Sequence, residues 1–317
     1  MGKIVLTGST GALGSRVLHY LLKFGVNPKD LIISVYNSNG IDSQLEKLVF
    51  DVRHGDYKKK ETLEKAFQDG EILFLISSIT IDTKQRTVEH RNAIDAAINV
   101  GIKHIYYTST SLADAKDIEV MNAHLNTEEF LKSSSLKYTI IREGFYSEVF
   151  PLFLGYFDAK TTNEIIIPAD GEIAFVSRDD LAEVTAKILI EPTNIYENKT
   201  ILLTGSKLYT LKETASIISK ILNRSIPIKI VSFEEYINHH IKTQNKIWVR
   251  IWASIYLALQ RGDLSQSDMI LEKLLQRPPK DLEETIKEIL TDNEKDNEEK
   301  QIHVGYVQTL TVNKNKT

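Results

Sequence analysis

The chain has 317 residues, 42% of them hydrophobic and 26% charged, and a formal net charge of −4 at pH 7. That length allows one large α/β unit or a nucleotide-binding unit with a smaller attached one, and the lack of a basic excess argues against nucleic acid or an anionic membrane as a partner. There is no cysteine, which excludes disulfides, thiolate catalysis and Cys-ligated zinc and suits a reducing compartment.

A strand, a glycine-rich turn and a helix open the chain. Residues 4–6 predict a short buried strand, Gly8, Gly11 and Gly14 follow in a G-x-x-G-x-x-G spacing, and a helix is predicted to run from Ser15 to Gly25. In this context glycines permit a tight turn and a close approach to a pyrophosphate, and the helix N-terminus offers free N–H groups. We therefore predict a dinucleotide phosphate site rather than a turn that binds nothing, formed by Gly8, Ser9, Thr10, Gly11, Ala12, Leu13 and Gly14.

Strand and helix signals then alternate, which indicates βαβ units and a parallel sheet. Further strands are predicted at 31–35, 48–52, 72–76, 104–107 and 136–141, and helices at 58–67, 88–100 and 120–131. We therefore expect an α/β fold with a Rossmann-type doubly wound parallel sheet over residues 1–150, whose ligand lies at the carboxyl ends of the strands.

The second half is less regular, and we expect a smaller α/β substrate lobe over residues 151–290, some of whose strands return to the main sheet. Strands are predicted at 165–167, 173–176 and 200–204, and helices at 181–190, 211–222 and 233–241. Residues 291–317 are predicted to form an acidic, polar and mobile tail, in which the apolar piece 302–312 either pairs as an edge strand or stays disordered.

No membrane span and no leader peptide are expected. The first predicted strand begins almost at Met1, and the most apolar later stretch, 247–259, is too short for a span and contains Arg250. We therefore expect a cytoplasmic protein.

The segment after the second predicted strand bears on the choice of cofactor. An acidic residue there favours NAD and an arginine favours NADP, but this segment contains neither, so Tyr36, Asn37 and Ser38 are predicted to bind either cofactor, with a mild preference for NADP. Asp56 and Tyr57 come after the third strand, where Asp56 is predicted either to accept a hydrogen bond from the adenine amino group or to cap the helix 58–67.

Hydroxyl side chains end the fourth and fifth predicted strands. Ser77 and Ser78 end one, and Thr108-Ser109-Thr110 ends the other. Their place in the topology predicts contacts with the ribose and nicotinamide of a dinucleotide. Ordinary loop chemistry is the alternative, because strand ends are rich in Ser and Thr.

Several motifs together resemble the NmrA-like family of atypical short-chain dehydrogenase/reductases, and within it the likeness is greatest to bacterial NAD(P)H:quinone reductases and the related triphenylmethane reductases. The resemblance extends over residues 1–290, and its motifs are Thr7–Gly14, Gly55–Tyr57, Leu75–Ser78, His90–Asn92, Tyr107–Ser109 and Tyr138–Glu148. It implies an NAD(P)H-dependent oxidoreductase in which residues 142–147, among them Arg142, Gly144 and Phe145, surround the nicotinamide. Quinone reductases of this type carry an arginine where Tyr36 stands, so NADP and NAD both remain open.

Typical short-chain dehydrogenases exchange protons through a Tyr-x-x-x-Lys pair on the helix before the sixth strand. This chain has Val120 and His124 at those two positions, and NmrA-like quinone reductases also lack the pair. Tyr156-x-x-x-Lys160 comes after the sixth strand, so we interpret it as coincidence. His124 is predicted either to exchange protons near neutral pH, bonded to a ribose or a quinone oxygen, or to lie on the polar side of its helix.

Aromatic side chains are the predicted substrate contacts. Phe145 and Tyr146 follow Gly144 at a strand end, and Tyr146 is also a candidate catalytic residue. Trp248 and Trp252 share a helix face with Tyr256, a spacing that favours core packing over substrate stacking. The histidines show no metal-ligand spacing, and no metal is predicted.

Two functions fit these features. One is a reductase that passes hydride from NADP(H) or NAD(H) to a quinone-like conjugated acceptor, and the motifs between residues 75 and 148 favour it. The other is a non-catalytic redox sensor of the NmrA type, with a protein partner, which the acidic tail and the missing Tyr–Lys pair suit. Fold cannot decide between them, and we expect the reductase.

Overall fold

The computed structural model describes residues 2–37, 51–115 and 117–291. Ser38, residues 48–50 and the predicted tail beyond Thr291 lie outside the described residues. The strands are β1 Ile4–Thr7, β2 Leu31–Val35, β3 Asp51–His54, β4 Ile72–Leu75, β5 His104–Thr110, β6 Lys137–Glu143, β7 Ile165–Ile167, β8 Glu172–Ile173, β9 Lys199–Leu203, β10 Tyr209–Thr210 and β11 Ile228–Ile230. The α-helices are α1 Ala12–Lys23, α2 Lys60–Phe67, α3 Thr83–Asn99, α4 Asn122–Ser133, α5 Phe150–Phe153, α6 Arg178–Ile190, α7 Leu211–Ile221, α8 Phe233–His240, α9 Lys246–Arg261, α10 Ile270–Leu275 and α11 Leu282–Thr291.

Seven parallel strands form the main sheet, in the order β3-β2-β1-β4-β5-β6-β9. Ile4 at the start of β1 pairs with Leu31 on one side and with Ile72 on the other. The order therefore reverses at β1, and this reversal opens a crevice at the carboxyl ends of the strands, where ligands bind in such sheets. The predicted Rossmann-type α/β fold is confirmed.

Helices cover the sheet, which explains why its central strands are continuous apolar runs. Val5, Leu73 and Ile105 on neighbouring strands are fully buried in one cluster with Ala93 and Ala97 of α3. Small alanine side chains let the helix backbone approach the sheet closely, so the larger strand residues fill the space between them.

The chain divides into two compact units. Among the described residues, the first comprises 2–37, 51–115, 117–143, 178–203 and 270–277, and the second comprises 144–177, 204–269 and 278–291. The first unit contains the whole seven-stranded sheet, because β9 returns to pair with β6 in parallel.

The described part of the second unit contains two small sheets and five of the α-helices. β8 pairs antiparallel with β10, and β7 pairs parallel with β11. Capping boxes begin two of its helices, Thr210 with Glu213 at α7 and Ser232 with Glu235 at α8.

Several predicted boundaries shift for identifiable reasons. α1 begins at Ala12 instead of Ser15, and α3 begins at Thr83, five residues before the predicted start, with the side chain of Asp82 as its N-cap. The first turn of α3 lacks the apolar spacing that marks a helix in the sequence, whereas the first turn of α1 has it in Leu13 and overlaps the glycine motif. The predicted strand 173–176 is regular only at its start, and Val176 then makes an isolated bridge with Tyr146. Across the described ranges, no helix is both long and apolar enough to cross a membrane.

Candidate active site

The glycine turn forms a cradle at the start of α1. Gly8 has a φ of +63°, which favours glycine, and a Cβ on Gly14 would lie 2.1 Å from the carbonyl oxygen of Gly8. The N-cap Gly11 makes no side-chain capping bond, and the first turn has no acidic residue. The first N–H groups of α1 therefore remain available to an anion. The hydroxyl of Ser9 is buried beside them without a hydrogen-bond partner. These features fit a pyrophosphate.

The side chains predicted to bind the adenosine lie at the ends of β2 and β3. Tyr36 is 73% exposed, its ring centroid is 6.0 Å from that of His54, and Nδ1 of His54 donates to the Tyr36 carbonyl oxygen at 3.1 Å. Asp56 does not cap α2, whose N-cap is Lys59. Its Oδ1 accepts from the Lys58 N–H at 2.9 Å, so the other carboxylate oxygen is open to a ligand.

Tyr57 joins the ends of β1 and β4. Its hydroxyl lies 2.7 Å from both Oγ1 of Thr7 and the carbonyl oxygen of Ile76. Thr7 also accepts from the Ile76 N–H at 2.9 Å, and Asn92 donates to the Tyr57 carbonyl oxygen at 2.9 Å. The phenol of Tyr57 is therefore engaged within the protein.

The hydroxyl residues after β4 and β5 also bond to protein groups. The Ser77 N–H donates to Oγ1 of Thr108 at 3.0 Å. Ser78 donates its hydroxyl to the buried carboxylate of Glu89, and its N–H donates to Nε2 of His90 at 2.8 Å. The first contact joins the ends of β4 and β5 at the predicted ribose edge, and the contacts of Ser78 attach the segment after β4 to α3.

His90 is a buried, neutral histidine whose tautomer follows from its partners. Its Nε2 accepts from a backbone N–H, so the proton is on Nδ1, which donates to Oγ1 of Thr127 at 2.8 Å. Burial, reinforced by the charge of Arg86, lowers the pKa of His90 to about 3.

His124 belongs to the same network. The Arg86 guanidinium donates through Nη2 to Nε2 of His124 at 3.0 Å and to Oγ of Ser77 at 2.7 Å. Because Nε2 accepts, the proton of His124 is on Nδ1, which lies 3.0 Å from the hydroxyl of Tyr107. Burial, with the charges of Arg86 and His90, lowers the pKa of His124 well below its usual range, and burial raises the pKa of Tyr107 to about 12. Both ring nitrogens of His124 are thus occupied and the ring is neutral.

Arg142, near the carboxyl end of β6, belongs to an ion-pair network. Its Nε and Nη2 donate to the two oxygens of the fully buried Glu128 at 2.9 and 2.8 Å, and Ser109 donates to Glu128 at 2.6 Å. The bond to Glu128 raises the pKa of Arg142 further above its usual value. The guanidinium predicted to bind the cofactor is therefore bonded to protein carboxylates, Asp114 included.

The second unit contains the aromatic candidates. A Cβ on Gly144 would lie 3.0 Å from Cγ2 of Thr204, so its backbone packs closely. Phe145 and Trp252 both contact Phe153 edge-to-face, with ring centroids 5.0 and 5.1 Å away. Tyr256 is buried and donates to the Phe153 carbonyl oxygen at 2.8 Å.

The remaining aromatic candidates are half-buried. Trp248, Trp252, Phe145 and Tyr146 each keep part of their surface in solvent, and the Trp252 indole nitrogen is buried without a partner. The three aromatic residues on this face of α9 therefore differ in burial: Tyr256 belongs to the core, whereas the two tryptophans are partly exposed to solvent. Within the described ranges, no group of His, Asp or Glu side chains is arranged to hold a metal ion.

Sequence patterns missed three members of the polar network: Arg86, Tyr107 and Glu128. One signal was available, because residues 83–92 contain a single apolar side chain, Val88, so a helix there cannot pack through an apolar stripe. A buried helix without an apolar stripe must present polar groups to its neighbours.

Comparison with known proteins assigns the family. The NmrA-like family model matches residues 1–285. An NmrA-like family domain-containing oxidoreductase of Aspergillus flavus is 32% identical over 300 residues, which cover 92% of this chain and 96% of that protein. The chain therefore belongs to the NmrA-like family.

Solved structures agree with this assignment. The Citrobacter triphenylmethane reductase, solved with NADP(H), matches with a TM-score of 0.81 at 32% identity and covers 90% of this chain and 99% of its own. The NADPH-dependent quinone oxidoreductase of Escherichia coli, solved with NADPH, matches with a TM-score of 0.81 at 29% identity and covers 91% and 100%.

Proposed function

We propose that this NmrA-like oxidoreductase reduces a quinone-like or similarly conjugated aromatic acceptor with NADPH. The two structural relatives with bound cofactor, a dye reductase and a quinone oxidoreductase, support this substrate class. Both kinds of acceptor are conjugated, and both take up hydride without prior protonation of an isolated carbonyl.

The observation that carries the proposal is the state of the histidine and the tyrosine at the carboxyl edge of the sheet. His124 has a partner on each ring nitrogen and is neutral, and Tyr107 is fully buried with its pKa raised to about 12. Neither group is arranged to pass a proton to a substrate oxygen at neutral pH. An acceptor that delocalises the incoming charge and takes its proton from water suits such a site.

The residues for the cofactor are those of the glycine cradle and the strand ends. When bound, NADPH supplies the hydride. Gly8–Gly14 hold its pyrophosphate with the N–H groups at the start of α1, and Tyr36, Asn37 and Asp56 face its adenosine half. Ser77 and Thr108 line the predicted ribose edge, while Tyr57, Ser78 and Arg142 stabilise the strand ends that form it. NADP is the cofactor we assign, and NAD is the comparison to measure.

The residues for the acceptor are aromatic. Phe145, Tyr146 and Trp252 offer ring faces, and the contacts of Phe145 and Trp252 with Phe153 give them a rigid backing. Such rings hold a flat acceptor by stacking and exclude water around it. His124 has a positioning role in this scheme, because it orients Arg86.

Steady-state oxidation of NADPH, and separately of NADH, by the full chain tests the proposal. A benzoquinone, a naphthoquinone and a triphenylmethane dye cation are expected to be reduced in a saturable way, whereas a simple aliphatic ketone, which needs an acid, is not. Phe145→Leu should raise the KM for the acceptor, and the matched Phe130→Leu on α4 should not. Comparable turnover of the aliphatic ketone, or no turnover of any conjugated acceptor by protein that binds NADPH, would contradict the proposal.

A further inference from the structure

Arg86 is a cation that the protein holds at the carboxyl edge of the sheet without a carboxylate. Its Nη2 donates to Ser77, two residues beyond β4, and to His124 of α4. Among the described residues, no Asp or Glu lies within ion-pair distance of its guanidinium, whereas Arg53, Arg91, Arg142, Arg261 and Arg277 all have such partners.

The free donors of Arg86 point to an acceptor that the chain does not provide. Guanidinium nitrogens donate and never accept. Nη2 has its two partners, and Nε is buried without one. Nη1 has no protein acceptor among the described residues and is not among the buried unpartnered atoms, so it remains accessible. Holding a charged group in this way costs free energy unless a ligand completes its hydrogen bonds.

The position of Arg86 identifies the half of the dinucleotide that it meets. The glycine cradle follows β1, the adenosine residues follow β2 and β3, and Arg86 bonds to the segment that follows β4. A dinucleotide laid across the switch point places its second ribose on the β4 and β5 side. A ribose diol presents two adjacent hydroxyl oxygens, which suit the forked donors of a guanidinium.

The bonds of His124 explain why the cation at this edge of the sheet comes from another helix. It occupies the position at which typical short-chain dehydrogenases have their lysine, but its Nδ1 proton is directed at Tyr107 and its Nε2 accepts from Arg86. The imidazole therefore offers nothing to a ligand, and the cation comes from α3.

We propose that Arg86 binds the hydroxyls of the nicotinamide ribose and that His124 and Ser77 hold its guanidinium in place for that contact. Arg86 thus takes over the cationic position of the missing Tyr-x-x-x-Lys lysine. This inference rests on the cofactor part of the proposed function and is independent of the acceptor.

Equilibrium binding of three ligands to the full chain tests the inference. Adenosine 2′,5′-bisphosphate lacks the second ribose, 2′-phospho-ADP-ribose has it without the ring, and NADPH has both. Arg86→Met should weaken the binding of 2′-phospho-ADP-ribose and of NADPH by about 10- to 100-fold. This is the range expected for the loss of hydrogen bonds to a charged group. Adenosine 2′,5′-bisphosphate should bind as it does to the wild type, which also shows that the variant is folded.

Two further variants sharpen the test. Arg86→Lys retains the charge but not the forked donors and should recover part of the lost affinity. Arg91→Met makes the same change on the exposed side of α3 and should leave all three ligands unaffected. Equal weakening of all three ligands by Arg86→Met, unchanged binding of 2′-phospho-ADP-ribose, or a loss confined to NADPH would each overturn the ribose contact. If Arg86→Met weakens the binding of only the two ligands that contain the second ribose, but the wild type reduces no acceptor, the proposed substrate class is refuted and this inference stands.

Discussion

At the scale of single residues, hydrogen-bond partners decide which side chains can exchange a proton. The sequence makes His124 a candidate acid–base residue, since its ordinary pKa lies near neutrality. The fold places it against Arg86 and Tyr107 and excludes water, so the same imidazole stays neutral. Burial and partners therefore set its role more than residue type does.

This state of His124 can be measured directly. We expect its Cε1–H resonance, assigned by its loss in His124→Gln, to stay constant between about pH 8 and about pH 5.5, because the folded pKa lies well below the ordinary value. A signal that titrates near pH 6.5 would show that the ring is accessible and would restore it as a proton-exchanging group.

Gly14 is a second residue whose surroundings fix its identity. In Gly14→Ala the new Cβ would meet the Gly8 carbonyl oxygen at 2.1 Å, and this oxygen belongs to the backbone and cannot rotate away as a side chain could. We expect a loss of about 1–3 kcal/mol in the free energy of unfolding, measured in urea, and a loss of NADPH binding. Gly11→Ala, where the distance to the same oxygen is 3.2 Å, should destabilise the fold less. Equal stabilities of the two variants would contradict this account of the turn.

At the scale of elements, a buried ion pair joins α4 to β5 and β6. Glu128 is fully buried and accepts from Ser109 and twice from Arg142. Removing one member of such a pair leaves an uncompensated charge, whereas removing both is often tolerated. The network therefore makes α4 and two strands depend on one carboxylate.

The corresponding prediction concerns stability. Glu128→Ala should lower the free energy of unfolding by about 3–5 kcal/mol, and Glu128→Leu with Arg142→Met should recover most of that loss. Lys132→Met should cost no more than about 1 kcal/mol, because Lys132 is 42% exposed in its pair with Glu128. Denaturant unfolding of these variants, of Glu128→Leu and Arg142→Met singly, and of the wild type measures these values. A double variant as unstable as the sum of its two single variants would refute the coupling.

Sequence patterns predict the elements whose signal is local. β2 has its predicted bounds, 31–35, and β1 and β4 differ from theirs by one residue, because buried parallel strands are continuous apolar runs. The glycine cradle is predictable for the same reason, since its function depends on adjacent residues. The start of α3 is not, because its first turns are polar.

The polar network could not be predicted in this way. Ser77, Arg86, Tyr107 and His124 come from four different segments, and only the tertiary fold brings them together. Their partners therefore depend on long-range packing, which no periodicity within one element records.

At the scale of the whole molecule, the buried histidines couple stability to pH. Burial lowers the folded pKa of His90 to about 3 and that of His104 to about 4, lowers that of His124 well below its usual range, and also lowers that of His240. Above the unfolded pKa of about 6.5 these histidines are neutral in both states, so they add no pH dependence. Below it the unfolded chain binds protons that the folded chain does not, so stability falls as the pH falls.

The size of this effect is a prediction for the intact protein. Each buried histidine should remove about 1.4 kcal/mol per pH unit from the free energy of unfolding well below pH 6.5. Urea unfolding at about pH 7.5, 6.5 and 5.5 should therefore show little change over the first interval and a clear loss over the second. His104→Gln should reduce that second loss by less than one third, because His90, His124 and His240 also have lowered pKa values. A pH-independent stability in the wild type would mean that these histidines bind protons in the fold as readily as in the unfolded chain, and would contradict their lowered pKa values.

The distribution of the site over the chain follows the two units. The first unit contains the phosphate cradle and the polar network around Arg86, and the second contains the aromatic cluster around Phe153. Under the proposed function, the first unit binds the cofactor and the second binds the acceptor, so variants in the two units are expected to affect different ligands.

The most direct test of the central claim is to trace the hydride. The full chain is incubated with NADPH deuterated at the transferable C4 position and a triphenylmethane dye cation, and the colourless product is analysed by mass spectrometry and NMR. Direct transfer predicts one deuterium on the central carbon of the product, with no exchange against solvent. A product without deuterium, or no reduction of the dye or of any quinone by protein that binds NADPH, would contradict the assignment of this protein as a reductase of conjugated acceptors.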